Sequence, residues 1–377
     1  SAMAAAADLA PDEVRRILQH GPWPQARPRD PTNRVSGESE AADFGRRLFF
    51  DQRLSRNGEI ACATCHRPEL AFTDGLRRGR GLAELERNTM GLADLALARW
   101  FGWDGANDSL WAQSLRPLLD PAEMGLDPAG LAATLRGAPD LSAAYRQVFG
   151  RAAGEVGDED LAVDLAKALA AFQETIASRR SPFDDFRDAL ERGDQAAMER
   201  YPAAALRGLR LFVGRGSCAV CHFGPAFTNH EFADVGMPFF VAPGRVDPGR
   251  LRGIDRLRAS PFSLLGRHND DREARAPVLA RFLDRQPRNF GEFRVPGLRN
   301  VALTAPYMHD GALASLADVV RHYSELDEER LHADGERILR PLRLDAAESA
   351  DLVAFLESLT GGIEWLDGAA MDTKHGR

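Results

Sequence analysis

The chain has 377 residues, of which 44% are hydrophobic and 28% are charged. That composition is typical of a globular protein large enough for two domains. A net charge of −8 argues against nucleic acid and against an anionic membrane surface as partners. No apolar run approaches the roughly 20 residues of a membrane-spanning helix, so we expect no membrane span.

Residues 1–40 are predicted to form a leader that lies over the protein surface as a strap. A short helix is predicted over 12–20, and the prolines that begin in Gly21-Pro22-Trp23-Pro24 favour an extended path after it. Trp23 is the expected anchor of the strap, and a partly ordered tail is the alternative. Ser1-Ala2-Met3 is typical of a cloning remnant, so we expect that a targeting segment has been removed.

The first chemical motif follows a short helix predicted over 41–50. Cys62-Ala63-Thr64-Cys65-His66 reads Cys-x-x-Cys-His, the attachment signal of a c-type haem. The thiols of Cys62 and Cys65 can each form a thioether with a haem vinyl group. His66 is then placed to ligate the iron from one side.

The middle of the chain is predicted to separate two halves. A helix is predicted over 158–179 because apolar residues recur there at helical spacing. They are Leu161, Leu165, Leu169, Phe172 and Ile176. Residues 180–200 are charged and contain Pro182 and Gly193, so we predict a linker. We therefore expect an N-terminal haem domain over 41–190 and a C-terminal haem domain over 191–377.

The second chemical motif is Cys218-Ala219-Val220-Cys221-His222, preceded by a helix predicted over 203–212. The two motifs use all four cysteines of the chain. A zinc site built from both pairs is the alternative. It leaves the two histidines unexplained and requires pairs more than 150 residues apart to converge. Two covalently bound haems c are the stronger interpretation. Because covalent haem is attached outside the bacterial cytoplasmic membrane, we expect a periplasmic protein.

Segments in the two halves echo each other in the same order, which suggests an internal duplication. Gly45–Phe49 is echoed by Gly208–Phe212, and the Arg-Asn and Asp-Gly landmarks at 87–105 are echoed at 299–311. Strand signals are weak, and Asp345 and Glu348 form a capping box before the last predicted helix. The predicted fold is mainly α, with two cytochrome c-like haem domains related by duplication and connected by long loops.

From about residue 41 to residue 361 the chain resembles the bacterial di-haem cytochrome c peroxidase / MauG superfamily. The most specific segments are 45–51, 62–74, 101–124 and 293–311, the last reading FRVPGLRNVALTAPYMHDG. The leader, HGPWP…DPTNRVSG, resembles a MauG-like branch that includes MbnH. The resemblance implies a di-haem oxidoreductase that reacts with hydrogen peroxide.

The resemblance makes His66 the proximal ligand of the first haem. Peroxidases of the family carry a second histidine in the following loop, which caps the iron until activation. This chain has no histidine between His66 and His222. The first iron is therefore open or is capped from elsewhere, with Met90 and Met124 as the nearby soft alternatives.

Three residues at intervals of ten match the family's catalytic positions. Glu123 matches the distal glutamate, a general acid–base that would move a proton between the two oxygens of peroxide. Gln113 matches the distal glutamine, which would orient peroxide or water. Trp103 matches the tryptophan between the haems. Taken alone, Glu123 and Gln113 would more often be solvated surface residues and Trp103 a core residue, and the joint match favours the catalytic interpretation.

At the second haem, His222 is the expected proximal ligand. The family's peroxidases place a methionine fourteen residues after the histidine of the His-Asp-Gly stretch, and counting from His309 gives Tyr323 here. Methionine raises a haem potential. A tyrosinate is a hard anion that stabilises ferric and higher states, and the chain resembles MauG here, since MauG also uses tyrosine. Met308 and His322 are the competing ligands.

The family also holds a calcium ion between the haems. The resemblance places its ligands at the side chain of Asn88 and the backbone carbonyls of Thr304 and Pro306. Neutral oxygen ligands completed by water suit calcium. Asn88 as a turn residue is the alternative.

Three functions compete. The first is a MauG-like enzyme in which peroxide yields a bis-Fe(IV) state shared through Trp103. That state would oxidise a residue of a partner protein, expected to be tryptophan, by long-range electron transfer. The second is a cytochrome c peroxidase that takes electrons from a small cytochrome, and the third is an electron carrier. Tyr323 and the missing distal histidine argue against the second function, and Gln113 with Glu123 argues against the third.

No role is assigned to His20, His230, His268, His332 or His375.

Overall fold

The computed structural model describes residues 9–271, 277–335 and 338–366. Its α-helices in these ranges are α1 (Pro11–Leu18), α2 (Ser39–Phe49), α3 (Cys62–Cys65), α4 (Leu110–Leu119), α5 (Pro128–Gly137), α6 (Pro139–Phe149), α7 (Asp158–Gln173), α8 (Pro182–Arg192), α9 (Gln195–Met198), α10 (Ala203–Val213), α11 (Arg250–Ala259), α12 (Pro277–Arg281), α13 (Leu316–Ser324) and α14 (Ala346–Glu357). The strands are β1 (Ala177–Ser178), β2 (Phe232–Ala233), β3 (Phe240–Ala242), β4 (Arg245–Val246), β5 (Phe293–Arg294) and β6 (Ile363–Glu364).

The mainly helical fold predicted from the sequence is confirmed. The short strands pair as three antiparallel ribbons, β1 with β6, β2 with β5 and β3 with β4. Long irregular segments connect the helices, as expected. None of the described helices combines the length and the apolar character needed to cross a membrane.

The core of the first half is built on the crossing of α2 and α7. At the crossing point a Cβ atom added to Gly45 would lie 1.9 Å from the carbonyl oxygen of Ala168. Only glycine allows the two backbones to approach so closely. Beside this point the ring of Phe49 in α2 packs against the ring of Phe172 in α7, with centroids 5.1 Å apart.

Helix α7 differs from its prediction in length and in burial. Every residue from Leu161 to Gln173 is buried, so the helix is packed on all sides and not along one stripe. It ends at Gln173, and Ile176 is buried in the turn that follows. The chain then enters β1, which pairs with β6 near the end of the described chain.

The second half repeats the same crossing with α10 and α14. A Cβ atom added to Gly208 would lie 1.9 Å from the carbonyl oxygen of Asp351, and the rings of Phe212 and Phe355 are 4.9 Å apart. The predicted capping box is present, since Asp345 accepts a hydrogen bond from the backbone N–H of Glu348. This match supports the duplication inferred from the sequence echoes, which remains a prediction.

The linker predicted over 180–200 is wrong, because α8 and α9 occupy most of that segment. Ser181 and Asp184 form a capping box at the start of α8, and Gly193 ends it in the left-handed region at φ 68°. Pro182 at the first helical position and Gly193 at the C-cap are start and stop signals of one helix, not signs of a linker. The buried rings of Phe183 and Phe186 place α8 in the core of the second half.

The domain limits predicted at residues 40 and 190 remain predictions. The outermost parts of the predicted leader and C-terminal domain, residues 1–8 and 367–377, lie outside the described residues.

The leader packs against both halves, with α1 in the core of the second half and Asn33 against α7 of the first half. Trp23 is 4% exposed, and its Nε1 donates to the carbonyl of Ser178 at 2.9 Å. The guanidinium of Arg299 lies 3.7 Å from the centre of the Trp23 ring. His20 is buried and stacks on Phe227 with centroids 4.7 Å apart. Trp23 as an anchor is therefore confirmed.

Replacing Gly45 by alanine tests the helix crossing. Because the added Cβ meets backbone, α2 and α7 must separate, and we expect a loss of about 2–3 kcal/mol of unfolding free energy, as for other overpacked cores. Circular dichroism of the haem-loaded protein would show a lower unfolding midpoint. Gly137→Ala is the matched control, since nothing lies within 4 Å of its added Cβ. Equal midpoints for the two variants would contradict the close crossing.

Candidate functional site: two haem pockets and the residues between them

The two Cys-x-x-Cys-His motifs fold alike and hold their histidines alike. The backbone N–H of His66 donates to the carbonyl of Cys62, and that of His222 to the carbonyl of Cys218, each at 2.9 Å. Nδ1 of His66 lies 3.0 Å from the carbonyl oxygen of Phe72, and Nδ1 of His222 lies 3.0 Å from that of Phe227. Because a carbonyl only accepts, Nδ1 carries the proton in both rings. Nε2 therefore presents its lone pair, as an iron ligand requires.

The accepting carbonyls are held by buried phenylalanines in a rare backbone conformation. Phe72 has φ 60° and Phe227 has φ 55°, and both side chains are fully buried. A left-handed conformation costs a bulky residue roughly 1–2 kcal/mol. Packing offsets that cost, since Phe72 lies against Phe49 and Phe227 against Phe212.

The residues around the second motif fit a covalent haem. A cavity of about 1240 Å³ is lined by Cys218, Cys221, His222, Tyr323 and Trp103, among others. It offers two thiols for the vinyl groups and an oriented imidazole for the iron. Burial raises the pKa of Cys218 to about 12, so its thiol is neutral.

The zinc alternative does not fit the geometry. Among the described residues, no three His, Cys, Asp or Glu side chains are grouped so that they could hold a metal ion. The two cysteine pairs therefore do not converge on one site.

Tyr323 reaches the second pocket from α13. Burial raises the pKa of its phenol, and the sulfurs of Cys218 and Cys221 raise it further. The side chain is therefore a neutral phenol unless a cation lies at its oxygen, as a ferric iron would. His322, one residue earlier, directs Nε2 to the carbonyl of Val235 at 2.7 Å and does not line the cavity. Met308 does line it, together with Tyr323.

Glu123, the predicted acid–base group of the first haem site, lies in the turn that follows helix α4. Ser109 caps α4 by accepting a hydrogen bond from the N–H of Ala112. Beyond α4 the chain turns back, and the N–H of Glu123 donates to the carbonyl of Asp120 at 3.0 Å. This turn brings the carboxylate of Glu123 within 2.7 Å of the guanidinium of Arg116.

Glu123 lies close to the first haem motif. Burial lowers the pKa of His66, while the carbonyl of Phe72 and the charge of Glu123 oppose the shift. Burial raises the pKa of Cys62 to about 12, and Glu123 contributes to the rise. The sulfur of Met90 accepts a hydrogen bond from Arg294 at 3.6 Å, and Met124 is buried in the core of the first half.

Trp103 is held by a hydrogen bond and lines the cavity of the second motif. Its Nε1 donates to the carbonyl of Asn88 at 2.9 Å, and it lines the cavity that contains His222. The neighbouring Gly102 has φ 77°, and a Cβ atom added to it would lie 3.3 Å from Oε1 of Gln113. The backbone beside Trp103 is therefore close to the side chain of Gln113. Oε1 of Gln113 accepts from Nδ2 of Asn107 at 2.8 Å, which fixes the amide.

The three residues predicted to bind calcium line the same cavity. They are Asn88, Thr304 and Pro306. Nδ2 of Asn88 donates to the carbonyl of Leu76 at 2.8 Å, which leaves its Oδ1 as an acceptor. Calcium binding itself remains a prediction.

Three residues near the haem pockets received no role from the sequence. His20 packs behind the loop that holds His222, and His230 and Arg294 line the cavity. Arg294 stands in one of the most specific segments of the family resemblance, and that position is the signal that could have drawn attention to it.

Comparisons with known proteins identify the family. The family model described as di-haem cytochrome c peroxidase matches residues 39–192. The methylamine utilization protein MauG of Methylorubrum extorquens is 34% identical, over 95% of this chain and 88% of that protein. The cytochrome-c peroxidase IdrP1 of Pseudomonas sp. strain SCT is 31% identical, over 85% and 81%. The protein belongs to the di-haem cytochrome c peroxidase / MauG family.

A solved structure is similar over nearly the whole fold. It is the crystal structure of a MauG-like protein associated with microbial copper homeostasis, with a TM-score of 0.68 and 29% sequence identity. The match covers 90% of this chain and 94% of that chain. The family implies two covalently bound haems and makes the protein a peroxide-reactive oxidoreductase.

Proposed function

We propose that this protein is a periplasmic MauG-like enzyme that uses hydrogen peroxide to oxidise a residue, expected to be tryptophan, of a partner protein. The observation that carries the proposal is Tyr323 in the second haem pocket. A methionine at that position would favour accepting electrons from a donor cytochrome. A tyrosinate favours oxidised states of the iron instead.

The overall reaction needs two electrons and two protons for each peroxide. Hydrogen peroxide accepts both, its O–O bond breaks and two waters leave. The electrons come from the partner side chain, which is oxidised by two electrons. The haems, when bound, supply the irons at which peroxide reacts and the oxidising equivalents are stored.

Glu123 is the proposed proton carrier at the first haem. Its carboxylate takes the proton from one peroxide oxygen and gives it to the other, which then leaves as water. Arg116, 2.7 Å away, holds the carboxylate in place. Gln113, fixed by Asn107, is the proposed donor that orients peroxide.

Trp103 is the proposed route for electrons between the two haems. Its position on the cavity wall and its hydrogen bond to Asn88 fix the indole in one orientation. A backbone carbonyl cannot take a proton, so electrons pass through Trp103 without proton transfer at its nitrogen. Calcium bound by Asn88, Thr304 and Pro306 belongs to the same proposal. It would stabilise the segments of the two halves that lie beside Trp103.

A di-haem cytochrome c peroxidase is the second candidate. The similarity to the Pseudomonas cytochrome-c peroxidase favours it, and so does Met308 on the wall of the second pocket. If Met308 were the iron ligand, the second haem would be suited to accept electrons from a small cytochrome.

Tyr323→Met tests the ligand assignment. Exchanging a hard anionic ligand for a thioether should raise the midpoint potential of the second haem and shorten the lifetime of the peroxide-oxidised protein. Spectroelectrochemical titration and stopped-flow absorbance measure the two effects. His322→Met is the matched control, since His322 faces the carbonyl of Val235. An unchanged potential in Tyr323→Met would exclude Tyr323 as the ligand and turn attention to Met308.

Glu123→Gln tests the proton carrier. The amide keeps the shape but cannot shuttle a proton, so the reaction with peroxide should slow by about 100-fold or more. Asp120→Asn is the matched control, because Asp120 also faces Arg116 and its side-chain oxygen can still accept from the N–H of Ala122. Stopped-flow mixing with peroxide gives both rates, and equal rates would remove Glu123 from the mechanism.

A further inference from the structure

Arg294 is a buried guanidinium without a carboxylate partner among the described residues. It is 9% exposed, and its Nε has no hydrogen-bond partner. Its terminal nitrogen donates only to the sulfur of Met90, at 3.6 Å. A thioether is a weak acceptor, so this contact does not compensate a buried charge.

The other buried arginines in the described chain are satisfied. Arg299 makes a two-pronged ion pair with Asp184, with both N–O distances 2.9 Å. Arg187 pairs with Glu191, and Arg250 donates to the carbonyls of residues 104 and 105. Burial lowers the pKa of Arg294 to about 10, and no neighbouring carboxylate opposes that shift. The residue is still charged at neutral pH, so its site lacks an anion.

The position of Arg294 points to where that anion belongs. Its backbone N–H donates to the carbonyl of Trp103 at 2.8 Å, and its side chain lines the cavity that contains His222. Neither His66 nor the cysteines of the first motif are among the residues that line this cavity.

His230 is a second unsatisfied polar group on the same cavity wall. Its Nδ1 is buried and has no hydrogen-bond partner. Burial lowers the pKa of His230 to about 4, with a contribution from the charge of Arg294. The ring is therefore neutral at pH 7, and one of its nitrogens can donate to an anion held by Arg294.

We propose that Arg294 binds a propionate carboxylate of the second haem, with His230 as an additional hydrogen-bond donor. The planar guanidinium matches a carboxylate with two parallel hydrogen bonds. No described side chain supplies that carboxylate, whereas a haem brings two. The inference rests on haem bound at His222, and it does not depend on which substrate the enzyme oxidises.

This contact would influence the potential of the second haem. A positive charge near the haem stabilises the ferrous form, and it also keeps the propionate ionised across the neutral pH range. Arg294 is therefore a positioning and tuning residue, not a catalytic one.

Arg294→Gln is the test, with the haem-loaded protein and no peroxide. Loss of the charge should raise the ferric-to-ferrous ratio of the second haem about ten-fold at a fixed applied potential, the size expected for one partly screened charge. That change corresponds to about 59 mV for one electron. The potential should also become pH-dependent near neutrality, since the propionate pKa rises when its partner is lost. Arg294→Lys, which keeps the charge, should restore most of both properties.

Arg340→Gln is the matched control, because Arg340 lines the same cavity but is 59% exposed and pairs with Glu328. It should leave the potential unchanged. Haem content of two per chain, checked by absorbance, confirms that each variant is loaded. The proposal is overturned if the second haem keeps its potential and pH profile in Arg294→Gln, or if only the first haem responds, which would assign the contact to the other haem. Neither outcome touches the proposed reaction with peroxide.

Discussion

The hydrogen bond from each proposed proximal histidine to a buried backbone carbonyl is the constraint on which both proposed haem sites depend. It fixes the tautomer of His66 and of His222 and leaves the lone pair of Nε2 available to ligate an iron. The carbonyls belong to Phe72 and Phe227, which are held in the left-handed region by their buried rings. Those rings pack against Phe49 and Phe212, which lie on the helices that cross at Gly45 and Gly208. The packing of each core therefore sets the orientation of an iron ligand.

We propose that the two halves use this shared frame for different chemistry. Phe101 and Asn107 form an isolated antiparallel β-bridge, and Tyr307 and Leu313 form the same bridge in the second half. Trp103 and His309 each lie two residues after the first residue of their bridge, so they occupy equivalent positions. Fourteen residues after Trp103 the first half has Pro117, inside α4, where the second half has Tyr323. The first half therefore has no possible iron ligand at that position, and we propose that Glu123, in the turn after α4, serves its haem instead. The proposed division between a peroxide-reacting haem and a charge-storing haem follows from this difference.

The motifs and the long helices could be predicted from the sequence because they depend on local spacing. The last capping box and the mainly helical fold are confirmed, and the family implies two haems, while the roles of the individual motif residues remain predictions. The linker was wrong because Pro182 and Gly193 act as helix start and stop signals only when Phe183 and Phe186 can be buried, which depends on the tertiary fold. Arg294 could not be singled out, because an unpaired charge is visible only when its neighbours are known.

The most direct test of the account is the reaction of the ferric, as-isolated protein with one equivalent of hydrogen peroxide, followed by optical and EPR spectroscopy. We expect one high-spin haem beside one low-spin haem. We also expect that a long-lived oxidised species forms without any prior reduction. Two low-spin haems that ignore peroxide until one of them is reduced would contradict the account and would establish the peroxidase instead.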